Sequence, residues 1–167
     1  VTDQGPGLGG QAIDARTFWK ALGVKPSAVA VVTAQGADGP SGFLALSVAH
    51  LAADPPTLTV GIDLRTSTLA AIRDAGHFAV NYLKKGDAAL ADTFGGRTDV
   101  HGADRFEAGR WATMATGAPV LADAVGVFDC TLEETIERHG AVIAIGRLVD
   151  YAGRDGDPLL FFRGSYQ

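Results

Sequence analysis

A single cysteine, Cys130, stands in the 167 residues. No disulfide can form within the chain, and nothing points to an oxidising compartment, so the expected setting is the cytoplasm. No run of about twenty apolar residues occurs, which removes the sequence signal for a membrane-spanning helix. The opening VTDQGPGLGG lacks the basic and apolar pattern of a secretion signal. Fourteen Lys and Arg face nineteen Asp and Glu, a net charge of -5, with no basic run. Nucleic acid and anionic membrane are therefore not expected as main partners, although a local Arg or hydroxyl cluster can still hold a small anion. No Gly-x-Gly-x-x-Gly turn is present, so a Rossmann cofactor site is not expected, and no Gly-x-Ser-x-Gly elbow supports hydrolysis. His50, His77 and His101 show no ligand-pair spacing, and no metal site is expected.

What is there is an ordinary globular composition, 47% hydrophobic and 20% charged. The length fits one domain, expected over 13–167 behind a flexible Gly-rich leader at 1–12. The chain is organised around Ser41 to Pro56, SGFLALSVAHLAADPP. Its apolar residues lead to a Pro-Pro stop, and a second apolar run, Leu58 to Ile62, follows at once, as in an antiparallel connection. Asp14 can cap a short helix carrying Phe18, Trp19 and Leu22, ended by Gly23 and expected to plug one end of a sheet. Ala28 to Thr33 reads as a buried strand. A helix over Leu69 to Ala75, stopped by Gly76, precedes a strand from His77 to Leu83, and a short helix follows over Gly86 to Phe94.

Beyond the loop that begins at Gly95, Phe128, Cys130 and Leu132 alternate with Asp129, Thr131 and Glu133, the period of a strand with one wet face. Cys130 then reads as a small core residue. Val142 to Val149 and Leu159 to Phe162 add two further strands. Short strands separated by Gly and Pro turns, with few helices, favour a mainly β fold, a closed antiparallel barrel.

Arg65, Thr66, Ser67 and Thr68 lie between the Leu58 to Ile62 strand and the next helix. Their hydroxyls, a guanidinium and unpaired helix amides can face a phosphate. Equally, Thr66 or Ser67 can simply cap the helix. Arg97, after Phe94-Gly95-Gly96, stands as a phosphate contact or a surface residue. Arg163 and Tyr166 stand as contacts to a ligand, to a dimer neighbour or to neither.

The collinear order of Gly42, Asp54-Pro55-Pro56, Thr66-Ser67-Thr68, Gly76-His77-Phe78-Ala79-Val80-Asn81, Asp104-Arg105-Phe106, Trp111, Gly117-Ala118-Pro119-Val120-Leu121, Gly146, Pro158-Leu159-Leu160 and Arg163-Gly164-Ser165-Tyr166 resembles the flavin reductase-like family. That resemblance implies the FMN-binding split-barrel fold, a homodimer with flavin near the subunit interface, FMN or FAD as flavin, and NADH or NADPH as co-substrate. It also implies a partner monooxygenase that receives reduced flavin. On the residues, it favours the phosphate reading of Thr66 and Thr68, and sets Asp63 near the family's usual Asn. Where such reductases carry Thr-x-Ser-Ser against the isoalloxazine edge, this chain has Leu44-Ala45-Leu46-Ser47. Only Ser47 keeps a hydroxyl; Leu44 and Leu46 can pack the core or wall the ring.

The family's His before the glycine-ended strand falls at Ala141, and His139 lies two residues early, as a weak catalytic substitute or a solvated loop residue. The expected function is NAD(P)H-dependent flavin reduction, in which a positioned nicotinamide gives hydride to the flavin and no protein nucleophile is needed. The alternative is a flavin-binding protein with little reductase activity, acting as a carrier or partner module or in another flavin-dependent redox reaction.

Overall fold

The computed structural model describes residues 12–167. The expected leader at 1–12 lies outside the described residues save for Ala12. In chain order the elements are α1 (Ala15–Leu22), β1 (Ser27–Ala28), β2 (Ala30–Gly36), β3 (Gly39–Ala45), β4 (Val48–Ala53), β5 (Pro56–Asp63), α2 (Thr68–Ala75), β6 (His77–Tyr82) and α3 (Ala88–Phe94). A 3-10 turn (Gly102–Arg105), β7 (Trp111–Thr113), β8 (Pro119–Leu121), β9 (Gly126–Arg138), β10 (Ala141–Gly153), β11 (Leu160–Phe162) and β12 (Ser165–Tyr166) complete the chain.

Seven strands form one antiparallel sheet in the order β3-β2-β6-β9-β10-β5-β4. Its two outermost strands, β3 and β4, are consecutive in sequence and joined by Leu46 and Ser47 alone. A flat sheet cannot satisfy that link, so the sheet bends until its edges lie close. The Gly61 amide donates to the Ser47 carbonyl at 3.4 Å and ties β5 to the link. The stretch from Ser41 to Pro56 is thus one organising segment but not one strand: it leaves one edge at Ala45 and joins the other at Val48. As expected, β4 then turns back through Asp54 and Pro55 into β5.

The longest pair, β9 and β10, carries register irregularities at Ile145/Gly146 and Leu148/Asp150, and such bulges bend a strand and raise its twist. Its tip is His139-Gly140, with φ of 50° and 76°, the doubly left-handed geometry of a two-residue hairpin turn.

The sheet is buried on both faces where β2 crosses it. Ala30, Val32 and Ala34 point into one apolar cluster with Val60, Ile62, Ile72, Phe78 and Val142. Val29 and Val31, on the opposite face, join Leu83, Phe94, Leu121 and Leu159. Alternate side chains of a strand point to opposite faces, so a continuous run of small and β-branched residues is what a doubly covered strand requires. Helix α2 lies against β2 and ends at Gly76, whose φ of 68° and amide bond to the Ile72 carbonyl close it.

Two expectations fail here. Helix α1 plugs nothing: Asp14 caps it by accepting from the Thr17 amide at 2.7 Å, yet none of its residues is buried, and Phe18 and Trp19 are 51% and 69% exposed. Its apolar stripe has the spacing of a core helix, but the stripe borders open space instead of packing into a sheet. Nor does Asp129 lie on a wet face. The carboxylate is fully buried and accepts from the Thr116 amide at 2.8 Å and from its hydroxyl at 2.5 Å. The segment carrying β7 and β8 covers that face, and the sequence around Asp129 holds no trace of it. Among the described residues no helix is long and apolar enough to cross a membrane.

Candidate functional site

Where the edges of the sheet approach, β3, the Leu46-Ser47 link, the end of β5, α1 and the β11–β12 turn enclose a cleft of about 630 Å³. Ligand sites for small molecules typically fall between about 300 and 1,000 Å³, so the volume suits one flavin-sized guest. Phe43, Leu44, Ala45, Leu46 and Ser47 form one wall, Gly61, Asp63 and Thr66 another, and Trp19, Leu22, Phe161 and Arg163 a third.

Of the site residues expected from sequence, seven come together here: Leu44, Ala45, Leu46, Ser47, Asp63, Thr66 and Arg163. Leu44 and Leu46 serve both readings, since they line the cleft and also pack against the apolar cluster on the outer face of the sheet. Ser47 keeps its hydroxyl, but that hydroxyl donates to the Gly61 carbonyl at 2.8 Å. It is held in place by the protein, its proton is taken, and it offers a guest only its acceptor lone pairs. A methyl group on Gly61 would approach the Ser47 oxygen at 3.2 Å, so this glycine keeps the cleft open beside the link.

At the other wall, a turn in which the Thr66 amide donates to the Asp63 carbonyl at 2.9 Å leads into α2. Arg65 grips Asp63 at both ends: its Nε and Nη2 donate to the carboxylate at 3.0 and 2.9 Å, and its own amide adds a third bond at 2.9 Å. These donors hold the exposed Asp63 carboxyl well below the usual carboxylate range. The cluster therefore presents less repulsion to an anion than a bare aspartate would, but the Arg65 charge is already partnered.

The capping alternative finds no support in geometry, because Ser67 stands at the N-cap without a side-chain capping bond. Thr68 departs from expectation. It is fully buried, and its hydroxyl is 2.9 Å from that of Ser41, tying α2 to β3. Of the three hydroxyls, only that of Thr66 belongs to the cleft. The start of α2, beside a Thr66 hydroxyl with no protein partner among the described residues, suits a phosphate, and the apolar wall suits a flat aromatic ring. The residues present fit a flavin.

Arg97 and Tyr166 are elsewhere. Arg97 donates to Asp92 at 3.1 Å, the Tyr166 hydroxyl donates to the same oxygen at 3.2 Å, and the guanidinium lies 5.8 Å from the Tyr166 ring centroid. The three lock α3 to the C-terminal strand. His139 is exposed at its hairpin tip and does not line the cleft, although the Leu64 amide donates to the neighbouring Gly140 carbonyl at 3.0 Å and Ala141 pairs with Asp63. Sequence reasoning missed Trp19, Leu22, Lys25, Phe43 and Phe161. The stripe in α1 was visible, but it reads as core, and nothing local says that it borders a cleft.

A curled antiparallel sheet with an apolar cleft at its seam and a hydroxyl-bearing helix start beside it defines a ligand-binding β protein of the flavin-handling kind. Residues 22–167 match the model of the flavin reductase like domain, and the chain belongs to that family. It is 37% identical over 158 residues to the FMN reductase (NADH) RutF of Ancylobacter novellus, covering 93% of this chain and 85% of that protein. Among solved structures, a nitrilotriacetate monooxygenase component B homolog from Mycobacterium thermoresistibile superposes with a TM-score of 0.84 at 28% identity, covering 93% and 86% of the two chains. BorF, the flavin reductase component of a bacterial two-component tryptophan halogenase, does so with a TM-score of 0.85 at 26% identity, over 92% and 97%.

Proposed function

We propose that this chain is an NADH-dependent flavin reductase of a single domain spanning 13–167, which supplies reduced FMN or FAD to a partner monooxygenase. The flavin provides the hydride-accepting ring; the chain's own residues hold it. Leu44 and Leu46 wall the ring and exclude water, the backbone of Ala45 and Ser47 meets its polar edge, and Thr66 with the start of α2 receives the phosphate. Asp63, fixed by Arg65, sets the geometry of that turn. The observation that carries this reading is the convergence of the Leu44 to Ser47 strand end and Thr66 on one cleft of flavin size.

Support for the reaction comes from the relatives: one is named an NADH-dependent FMN reductase, and a structural neighbour is the reductase component of a two-component halogenase. The two-residue link between the outermost strands supports closure of the sheet into a split barrel. The bare face of α1 and the exposed Ile136, Ile143, Val149 and Tyr151 of the long hairpin support a homodimer, and the single cysteine supports a cytoplasmic setting.

Purified protein mixed with NADH and either flavin is expected to consume NADH faster than a protein-free control. No consumption with either flavin overturns the reaction. One observation favours a second reading, a flavin carrier with little turnover: Ser47, the last hydroxyl on the ring wall, is already bonded to Gly61. A bound yellow chromophore without NADH consumption is its signature.

A further inference from the structure

Lys25 and Arg163 bring positive charge to the lining of the cleft. Part of its lining is made where the end of α1 meets the β11–β12 turn. There the Arg163 amide donates to the Gly23 carbonyl at 3.1 Å, and a Cβ on Gly23 would stand 3.6 Å from the Arg163 Cα. That junction brings Lys25 and Arg163, from opposite ends of the chain, into one cleft with Trp19. Among the described residues neither cation has a carboxylate within ion-pairing distance, whereas Arg65, Arg97, Arg110 and Arg147 all do. Asp63, the carboxylate in the lining, is taken by Arg65. The Arg163 guanidinium lies 5.0 Å from the ring centroid of Phe162, a cation–π contact that leaves its charge unneutralised.

Two unneutralised cations and an exposed indole at one end of an apolar cleft match a particular chemistry. A diphosphate carries two negative charges that a guanidinium and an ammonium can share, and a purine stacks on an exposed aromatic face. FMN has one phosphate, which the Thr66 wall receives, so this end is left for something longer. We propose that Lys25 and Arg163 bind the diphosphate of a dinucleotide, NADH or FAD, with Trp19 beside them for the adenine. The inference rests on the flavin reading of the cleft.

The test is calorimetric titration of FMN-saturated protein with ADP-ribose, which carries the adenosine diphosphate but neither redox ring. Wild type is expected to bind it, more weakly as salt rises because the contact is solvent-exposed. The Lys25→Gln/Arg163→Gln double variant is expected to bind it at least tenfold more weakly, while its FMN dissociation constant, read from flavin fluorescence, moves less than twofold. A Lys25→Arg/Arg163→Lys variant, which keeps both charges, is expected to recover most of the affinity.

Two further measurements identify the source of the diphosphate. A raised KM for NADH with FMN as acceptor assigns the pair to the nicotinamide cofactor, and a raised dissociation constant for FAD alone assigns it to the flavin. Equal ADP-ribose binding by wild type and the Gln variant overturns the proposal. So does a parallel loss of FMN affinity, which would place the pair on the FMN phosphate. Failure of wild type to bind FMN at all would instead remove the flavin reading on which the proposal stands.

Discussion

Gly146 of β10 and Phe78 of β6 meet across the inner face of the sheet with no room for one more carbon. A Cβ on Gly146 would fall on the Phe78 Cζ, 2.7 Å from its Cε1 and 3.0 Å from the Cβ of Cys130. Phe78 is fully buried in the cluster that fills the curl of the sheet, so its ring has nowhere to go. Overpacking of this kind costs about 1–3 kcal/mol. Gly146→Ala is expected to lower the melting temperature by about 2–4 °C for each kcal/mol lost, the scaling for a domain of this size. Adding Phe78→Leu should return part of that loss, since the two sites share one volume. A Gly146→Ala protein that melts with wild type would mean the sheet relaxes there at no cost.

Much of this core is legible in the sequence because its signals are local. The run Ala28 to Thr33 marks a buried strand, which the structure divides between β1 and β2, and Gly76 marks where α2 must stop. The Thr66 wall of the cleft is legible for the same reason: hydroxyls clustered just before an apolar helical stretch announce a helix start. The opposite wall is not. Gly23 and Arg163 meet through one backbone bond across almost the whole chain, and no spacing rule reaches that far. Asp129 shows the same limit within one strand. Alternation assigns it to solvent, but Thr116, thirteen residues earlier, arrives to satisfy its carboxylate, and β-propensity and pattern are overridden by that tertiary contact.

The two threonines beside α2 separate binding from folding. Thr66 lines the cleft, and its hydroxyl has no protein partner among the described residues, whereas the Thr68 hydroxyl is buried against Ser41 at 2.9 Å. Thr66→Val is therefore expected to weaken FMN binding about tenfold, the loss of one hydrogen bond to a charged group, with little change in melting temperature. Thr68→Val is expected to do the reverse. It strands the Ser41 hydroxyl in a partly buried place, costing about 1 kcal/mol of stability, while FMN affinity holds. Fluorescence titration and thermal melts of the two single variants are the measurements. If Thr68→Val lost affinity and Thr66→Val did not, the phosphate would have to be moved to the α2–β3 contact.

Cys130 sits in the same inner cluster as Phe78, fully buried. Burial first, and then the neighbouring Asp129 charge, push its thiol up to about 12. The thiolate is the reactive form, so a folded chain should resist alkylation at pH 8 to 9, whereas the same chain in denaturant reacts readily. The sign of the linked stability follows. The folded chain keeps the thiol proton above pH 9, where the unfolded chain gives it up, so unfolding releases a proton and becomes easier as pH rises. The contribution is complete below the unfolded value of 9.0 and is lost between there and about 12, with a slope of at most about 1.4 kcal/mol per pH unit. Cys130→Ala lacks this slope. Urea melts of both proteins from pH 8 to 11 should therefore show wild type losing ground to the variant as pH climbs, and a constant gap between the two would show that the folded thiol ionises as freely as the unfolded one.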